Sequence, residues 1–329
     1  MKIVEKFKSK PTIYYAMSIV ASWAGVGALM NFRTLALNYG TIPAVIWGVF
    51  NTLACIVFGL AIEHIPEIRE IMKTKFIFWF IGFLTIFQTW TQMSGIHEIF
   101  ADTPIGANGG MIIAYVTAII FLLILLKNGM IRNVLSDDLS WIIVYGLLLF
   151  VCIGSLIYTK GDTQQTTLGL ENIKVGFSKG ILLIPGPFAC PYYYSLYDYN
   201  EKNVDGTGKG DIKKAFIYAG LMFGVFMFFS ALLTYTKFSP FMNTVKAILV
   251  TVIAISSLST YLYCEYIAFG KKVGFAIDVL TVAGWNFLIP LGVMGIWTLM
   301  SEIRIYVICG VVILALFKKL KKKYATSQN

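Results

Sequence analysis

Ten apolar stretches, nine of about 18–25 residues and so near the length needed to cross a bilayer as a helix and a last one of about 15, take up most of this chain. Their approximate bounds are 12–31, 42–62, 76–96, 109–126, 140–158, 177–197, 214–235, 244–268, 275–296 and 303–317. With 57% hydrophobic and 13% charged residues and a mean hydropathy of +0.74, the chain is far more apolar than a soluble globule, whose apolar share sits near ~45–50%. The expectation is an all-α integral membrane protein with no room for a separate soluble domain.

The basic segment Met1 to Lys10 precedes an apolar run, as in a signal peptide. That run is too long for a signal core and carries an internal Gly25-Val26-Gly27 break, so the first span reads as retained. The five cysteines, Cys55, Cys152, Cys190, Cys264 and Cys309, all fall in apolar spans without a C-x-x-C pair. They imply neither a disulfide framework nor a zinc site. His64 and His97 lack ligand-spaced partners.

A net charge of +10 could indicate nucleic acid, but its placement does not. If the N-terminus is cytoplasmic and the spans alternate, 20 of the 27 basic residues fall inside and seven outside, among them Arg33 and Arg304. This bias supports an even span count, cytoplasmic termini and residence in a plasma or inner membrane. The cluster Lys318 to Lys323 is expected to act as a topology anchor or to rest on anionic headgroups.

The longest polar outside connection, 159–178, divides the chain into 1–158 and 179–329, five spans in each part, the second ending in the basic cytoplasmic tail. An odd number of spans per half inverts the second half relative to the first. The first span of each half is interrupted, by Gly25-Val26-Gly27 and by Pro185-Gly186-Pro187 with Pro191. Such clusters free backbone groups that cost several kcal/mol each when exposed to lipid, so they belong beside a polar cavity or an ion. Asn200 to Lys214 is Gly-rich but lacks Walker spacing and reads as a loop.

The stretches Ala21 to Ala28 with Leu35 to Gly40, Gly129 to Asp138, Phe188 to Tyr192 running on through Asp211 to Ala215, and Ala254 to Thr260 resemble, in order and spacing, core helices of the sodium/solute symporter family. The resemblance implies a LeuT-type fold: ten transmembrane helices in a five-plus-five inverted repeat, with helices one and six discontinuous. It also implies sodium-coupled uptake of a small solute by alternating access. The chain departs from the family in lacking the additional terminal helices many members carry, and Cys190 stands where the sixth helix often has Gln. Carried over residue by residue, the sodium site would use carbonyls of Ala21, Ala24 and Ile253 with hydroxyls of Ser256 and Ser257. The coupling ion is the only cofactor expected; no nucleic-acid partner and no organic cofactor are.

Solute candidates are Trp23 and Gly27 on the first helix, Gln88, Thr89 and Gln92 on the third, and Phe188, Cys190, Tyr192 and Tyr193 on the sixth. Gln88 and Gln92 share a helical face at a four-residue interval. Arg33, Glu98, Asp198, Glu265 and Asp278 fall closer to the expected span ends, and an uncharged midplane argues for a neutral or zwitterionic solute. The rivals are a proton-coupled or uncoupled permease of the same fold and a non-transporting membrane sensor or scaffold. No nucleophile–base set indicates an enzyme.

Overall fold

The computed structural model describes residues 10–125, 141–151, 153, 169–202, 209–235 and 240–327, and among these there are helices and turns but no strand. The helices are α1 (Pro11–Trp23), α2 (Val26–Tyr39), α3 (Thr41–His64), α4 (Pro66–Met72), α5 (Lys75–Phe100) and α6 (Gly106–Leu125). After them come α7 (Trp141–Val151), α8 (Leu170–Ile181), α9 (Pro191–Lys202), α10 (Ile212–Tyr235), α11 (Pro240–Phe269), α12 (Lys271–Gly284) and α13 (Gly292–Ser327). The Gly129 to Asp138 stretch and residues 159–168 of the expected connection 159–178 lie outside the described residues, while its second half enters α8 at Leu170.

Six helical stretches are long and apolar enough to cross a membrane, or seven if α1 and α2, bent by 54°, form one broken span. Their outward faces carry large exposed apolar side chains such as Phe76, Leu280, Phe228 and Ile112, the surface a lipid solvent requires. The protein is therefore a membrane-embedded helical protein.

The count falls below the ten apolar stretches for local reasons. The sixth stretch is divided into two 12-residue helices, α8 and α9. The fifth is described only over α7 and Ile153. Lys271–Ala325 is one helical stretch of 55 residues, which at 1.5 Å per residue would reach about 80 Å, far beyond one crossing. It divides at the 3-10 segment Trp285–Leu291, where Pro290 cannot donate, and at Gly292, whose φ of 62° suits glycine.

Helix packing follows a two-part plan. The most extensive pair is α5 with α11, and the next is α3 with α10. Helices α6 and α12 join the first pair, while α1 and α8 gather around the second; α9 lies against α11 and α5 and reaches the second pair through Tyr193, whose ring meets Phe58 and Phe216. Close approach depends on glycine at defined points: a β-carbon on Gly82 would sit 2.3 Å from Ala268 Cβ, and one on Gly95 would sit 1.9 Å from Val26 Cγ1. Phe58 of α3 centres an aromatic cluster, with ring centroids 4.9 Å from Phe188, 5.6 Å from Tyr193 and 4.7 Å from Phe216.

The basic end of α13 docks on α4. Lys322 Nζ lies 3.1 Å from Glu67, Lys318 pairs with Glu70, and Lys319 donates to His64 O at 2.7 Å. Three of the lysines expected to serve as an anchor or to meet headgroups are thus engaged by protein. The backbone N–H at the first turn of α4, then Lys322, holds the Glu67 carboxyl below the usual carboxylate range, and Lys318 does the same for Glu70. Carboxyls lowered in the docked state favour docking above the ordinary Glu value near ~4.3 and lose that contribution as pH falls through the lowered values. A spin label at Ala325→Cys, in a Cys309→Ser background, should accordingly be immobilised at neutral pH. It should become mobile as acidification protonates both carboxyls, below the ordinary Glu range, and at neutral pH in a Glu67→Gln, Glu70→Gln double variant.

Candidate functional site

The two interrupted helices meet in the interior, and the side chains around them take up the freed backbone groups. Helix α1 ends at Ala24, whose N–H donates to Val20 O at 2.7 Å, and α2 begins after Gly25. Of the carbonyls left at the end of α1, Ala21 O accepts from Ser257 Oγ at 2.9 Å and Ser22 O from Tyr261 Oη at 2.7 Å. At the start of α2, Val26 N–H donates to Gln92 Oε1 at 2.8 Å. Glycine is required at the break for space: a β-carbon on Gly25 would stand 2.6 Å from that same Oε1.

The second break runs from Leu182 to Cys190. Leu182 O, left by the end of α8, accepts from Arg304 Nη2 at 3.0 Å. Pro187 opens a single 3-10 turn and Pro191 opens α9, positions where a missing N–H costs no helical bond. Gly186 lets the Trp23 ring pass, since a β-carbon there would be 2.1 Å from Trp23 Cη2. Tyr193 Oη and Ser22 Oγ share a hydrogen bond of 3.0 Å that ties α9 to α1, and Tyr192 and Ser18 form a second such tie.

Two adjoining chambers, of about 10 and 30 Å³ and so closed down to about the size of a water molecule, lie between these breaks and share Trp23, Gln88, Tyr261 and Arg304 on their walls. Cys190 and Tyr193 line the first, and Gly27 and Gln92 the second. Six of the nine solute candidates are thus gathered here. The other three lie elsewhere: Thr89 donates to Glu265 Oε1 at 2.9 Å, Phe188 packs on Phe58, and Tyr192 bonds Ser18. Thr89 follows Gln88 directly, so a 3.6-residue helix turns it about 100° away from the cavity.

Of the candidate ion ligands, Ala21 O, Ile253 O and Ser257 Oγ converge: the hydroxyl is 2.9 Å from the first carbonyl and 3.4 Å from the second. Ala24 is at the break itself, and Ser256 is buried one residue before Ser257, its carbonyl accepting from Ser259 Oγ at 2.8 Å. Oxygen atoms without a formal charge, set where a helix unwinds, are the donor type that a monovalent hard cation takes at membrane depth. Among the described residues no group of three or more His, Cys, Asp or Glu side chains is disposed to hold a metal.

The buried charges depart from expectation. Arg304 is 1% exposed, and Glu265 and Asp278 are fully buried. Arg304 looked peripheral because the tenth stretch was drawn from residue 303; the helix begins at Gly292, which puts this residue near the middle of its apolar length. Glu265 accepts from Thr89 on α5 and from Thr281 on α12, each at 2.9 Å, and its carboxyl faces that of Asp278. The inference of a neutral solute from an uncharged interior therefore loses its premise.

At the α4 edge of the molecule, Lys73 Nζ lies 2.6 Å from Asp198 Oδ2, Arg69 pairs with Glu201, and Arg69 also sits 5.6 Å from the Tyr197 ring centre. These pairs tie α4 and the residue that follows it to α9. No protein-family model matches the chain, and no curated protein is similar enough to it to count as a relative.

Proposed function

We propose that the protein is a sodium-coupled secondary transporter of LeuT-type architecture that imports a small solute by alternating access. The observation that carries this reading is the contact of Ser257 Oγ, on α11, with the carbonyl of Ala21 at the unwound end of α1, 2.9 Å away. A sodium ion would sit between α1 and α11 and replace that hydrogen bond with oxygen coordination, holding the interrupted helix to the α5–α11 pair. The helix plan agrees with an inverted repeat: α3 and α10 are the second spans of the two halves, α5 and α11 the third, and each pairs with its counterpart. In this reading the termini are cytoplasmic, α1 with α2 and α8 with α9 are the discontinuous first and sixth helices, and 1–158 and 179–329 are the repeats.

The solute occupies the chambers beside the two breaks, and the ion pairs of Lys73 and Arg69 with α9 close the cytoplasmic side. One inward sodium supplies roughly 2.3 kcal/mol per 100 mV and about 1.4 kcal/mol per tenfold gradient. For an uncharged solute this sum supports an accumulation on the order of 500-fold. Uptake into proteoliposomes under an inward sodium gradient, screened over organic acids, amino acids, sugars and nucleosides, tests the proposal. Stimulation by sodium but not potassium is expected; uptake unaffected by ion replacement would remove sodium coupling.

A second reading, coupling to protons, is favoured by Glu265 and Asp278. Neither oxygen of Asp278 has a donor in hydrogen-bonding geometry among the described residues, and a bond between its carboxyl and that of Glu265 requires a shared proton. Buried carboxyls of this kind form the proton relays of pumps and transporters. Under the sodium reading Asp278→Asn leaves sodium stimulation in place, with no more than a few-fold change in uptake. Under the proton reading it abolishes stimulation by an inward pH gradient.

A further inference from the structure

We infer that the solute is an organic monocarboxylate whose carboxylate binds Arg304. This rests on the reading above in taking the two chambers as the solute site. Arg304 lies on the wall of both chambers. Its Nη2 donates to Leu182 O at 3.0 Å and to Ser301 Oγ at 3.3 Å, while its Nε has no acceptor. No carboxylate among the described residues pairs with it, and none lines either chamber.

A guanidinium keeps its charge at any physiological pH, so burial cannot be relieved by losing a proton. An uncompensated buried charge is among the costliest features a fold can carry, and inside a membrane it marks a ligand or ion pathway. A second donor points the same way: Trp47, on the wall of the second chamber and 1% exposed, has an indole N–H without an acceptor. Among the described residues, the fully buried side-chain polar atoms without a partner on the wall of the second chamber are these two donors, which a bound anion would satisfy. The end of the neighbouring half-helix offers only the partial negative charge of its last carbonyls, which Arg304 meets through a single nitrogen, leaving the rest of the fork for a bidentate partner.

The remaining walls identify the rest of the ligand. Trp23, Leu84, Tyr261, Met300 and Trp297 are apolar or aromatic, a surface that a bare phosphate or chloride would leave unused. One fixed positive charge balances one negative charge. The carbon skeleton therefore packs on the rings while the carboxylate takes the guanidinium and, through the second chamber, the Trp47 N–H.

The test is ligand binding to the purified full chain in nanodiscs, read from tryptophan fluorescence, with acetate, butyrate, benzoate, benzamide and inorganic phosphate as probes. Saturable binding of at least one carboxylate is expected, benzoate binding at least tenfold tighter than benzamide, with no response to phosphate. Arg304→Gln should weaken carboxylate binding at least tenfold, Arg304→Lys less, because it keeps the charge and loses the fork. Trp47→Phe, which keeps a ring and removes the donor, should weaken it several-fold. Absence of saturable carboxylate binding in the wild-type chain, equal binding of benzoate and benzamide, or unchanged binding in a folded Arg304→Gln or Arg304→Lys chain would overturn the assignment and leave Arg304 as a brace for Leu182. Carboxylate binding without uptake would remove the transporter reading and keep the anion site; sodium-driven uptake of an uncharged solute, unchanged by Arg304→Lys, would do the reverse.

Discussion

If the proposed sodium coupling holds, Ser257→Ala is expected to lower the apparent affinity for sodium at least tenfold, about 1.4 kcal/mol, and to abolish stimulation of uptake at sodium concentrations that saturate the wild type. The hydroxyl is the one side-chain oxygen that touches both the end of α1 and the carbonyl of Ile253, at 2.9 and 3.4 Å. Without it the cation loses a ligand and the bridge between α1 and α11. The same change also breaks a buried hydrogen bond worth about 1 kcal/mol to the fold, so a second variant separates the effects. Ser257→Cys fills nearly the same volume and keeps a weak donor, yet its soft sulfur is a poor sodium ligand; it should retain most stability and still lose sodium stimulation. Uptake measured in sodium against potassium media, with melting in detergent alongside, is the check. Sodium dependence surviving in both variants would discard the site.

Gly95→Ala produces the largest packing defect. Its new methyl would stand 1.9 Å from Val26 Cγ1 and 2.9 Å from Val26 Cβ. Valine is stiff about χ1, and Val26 cannot retreat freely, because its N–H is held by Gln92 at 2.8 Å as the first residue of α2. Overpacking of this kind costs about 1–3 kcal/mol, and here the strain falls on the interrupted segment that would bear the proposed ion and solute contacts. A drop in melting temperature together with loss of uptake is the expected result. Val26→Ala removes the clashing Cγ1 methyl and leaves only the 2.9 Å approach to Cβ, so the Gly95→Ala, Val26→Ala double variant should recover much of the stability lost. A double variant no better than the single one would show that α2 and α5 do not meet as described.

The sequence displays its helix breaks directly, since glycine and proline act locally. Gly25 and the run from Pro185 to Pro191 fall where backbone bonds are released, and the helices stop there. The grouping of Trp23, Gln88 and Gln92 was likewise readable, as intervals on single helices beside those breaks. The convergence of Ser257 with Ala21, which are 236 residues apart, has no local signature. It was reachable only through the resemblance.

The charged interior escaped for a different reason. Hydropathy draws the edge of a span at a charged residue, so Arg304, Glu265 and Asp278 were set near edges by the same rule that located the spans. Their burial is decided by partners on other helices: Leu182 for Arg304, and Thr89 with Thr281 for Glu265. No periodicity within one segment contains that information. Thr89 faces Glu265 while its neighbour Gln88 faces the cavity, because helical rotation separates adjacent residues as firmly as distance does.

A fixed guanidinium on the cavity wall also alters the electrical character of a transport cycle. The arginine stays with the protein, so a carboxylate that neutralises it for binding still crosses with its own negative charge. Accompanied by one sodium, that cargo is electroneutral, and the membrane voltage neither helps nor opposes it. The driving force is then the sodium concentration ratio alone, worth about 1.4 kcal/mol per decade, and accumulation by such a carrier would follow external salinity rather than the energisation of the membrane.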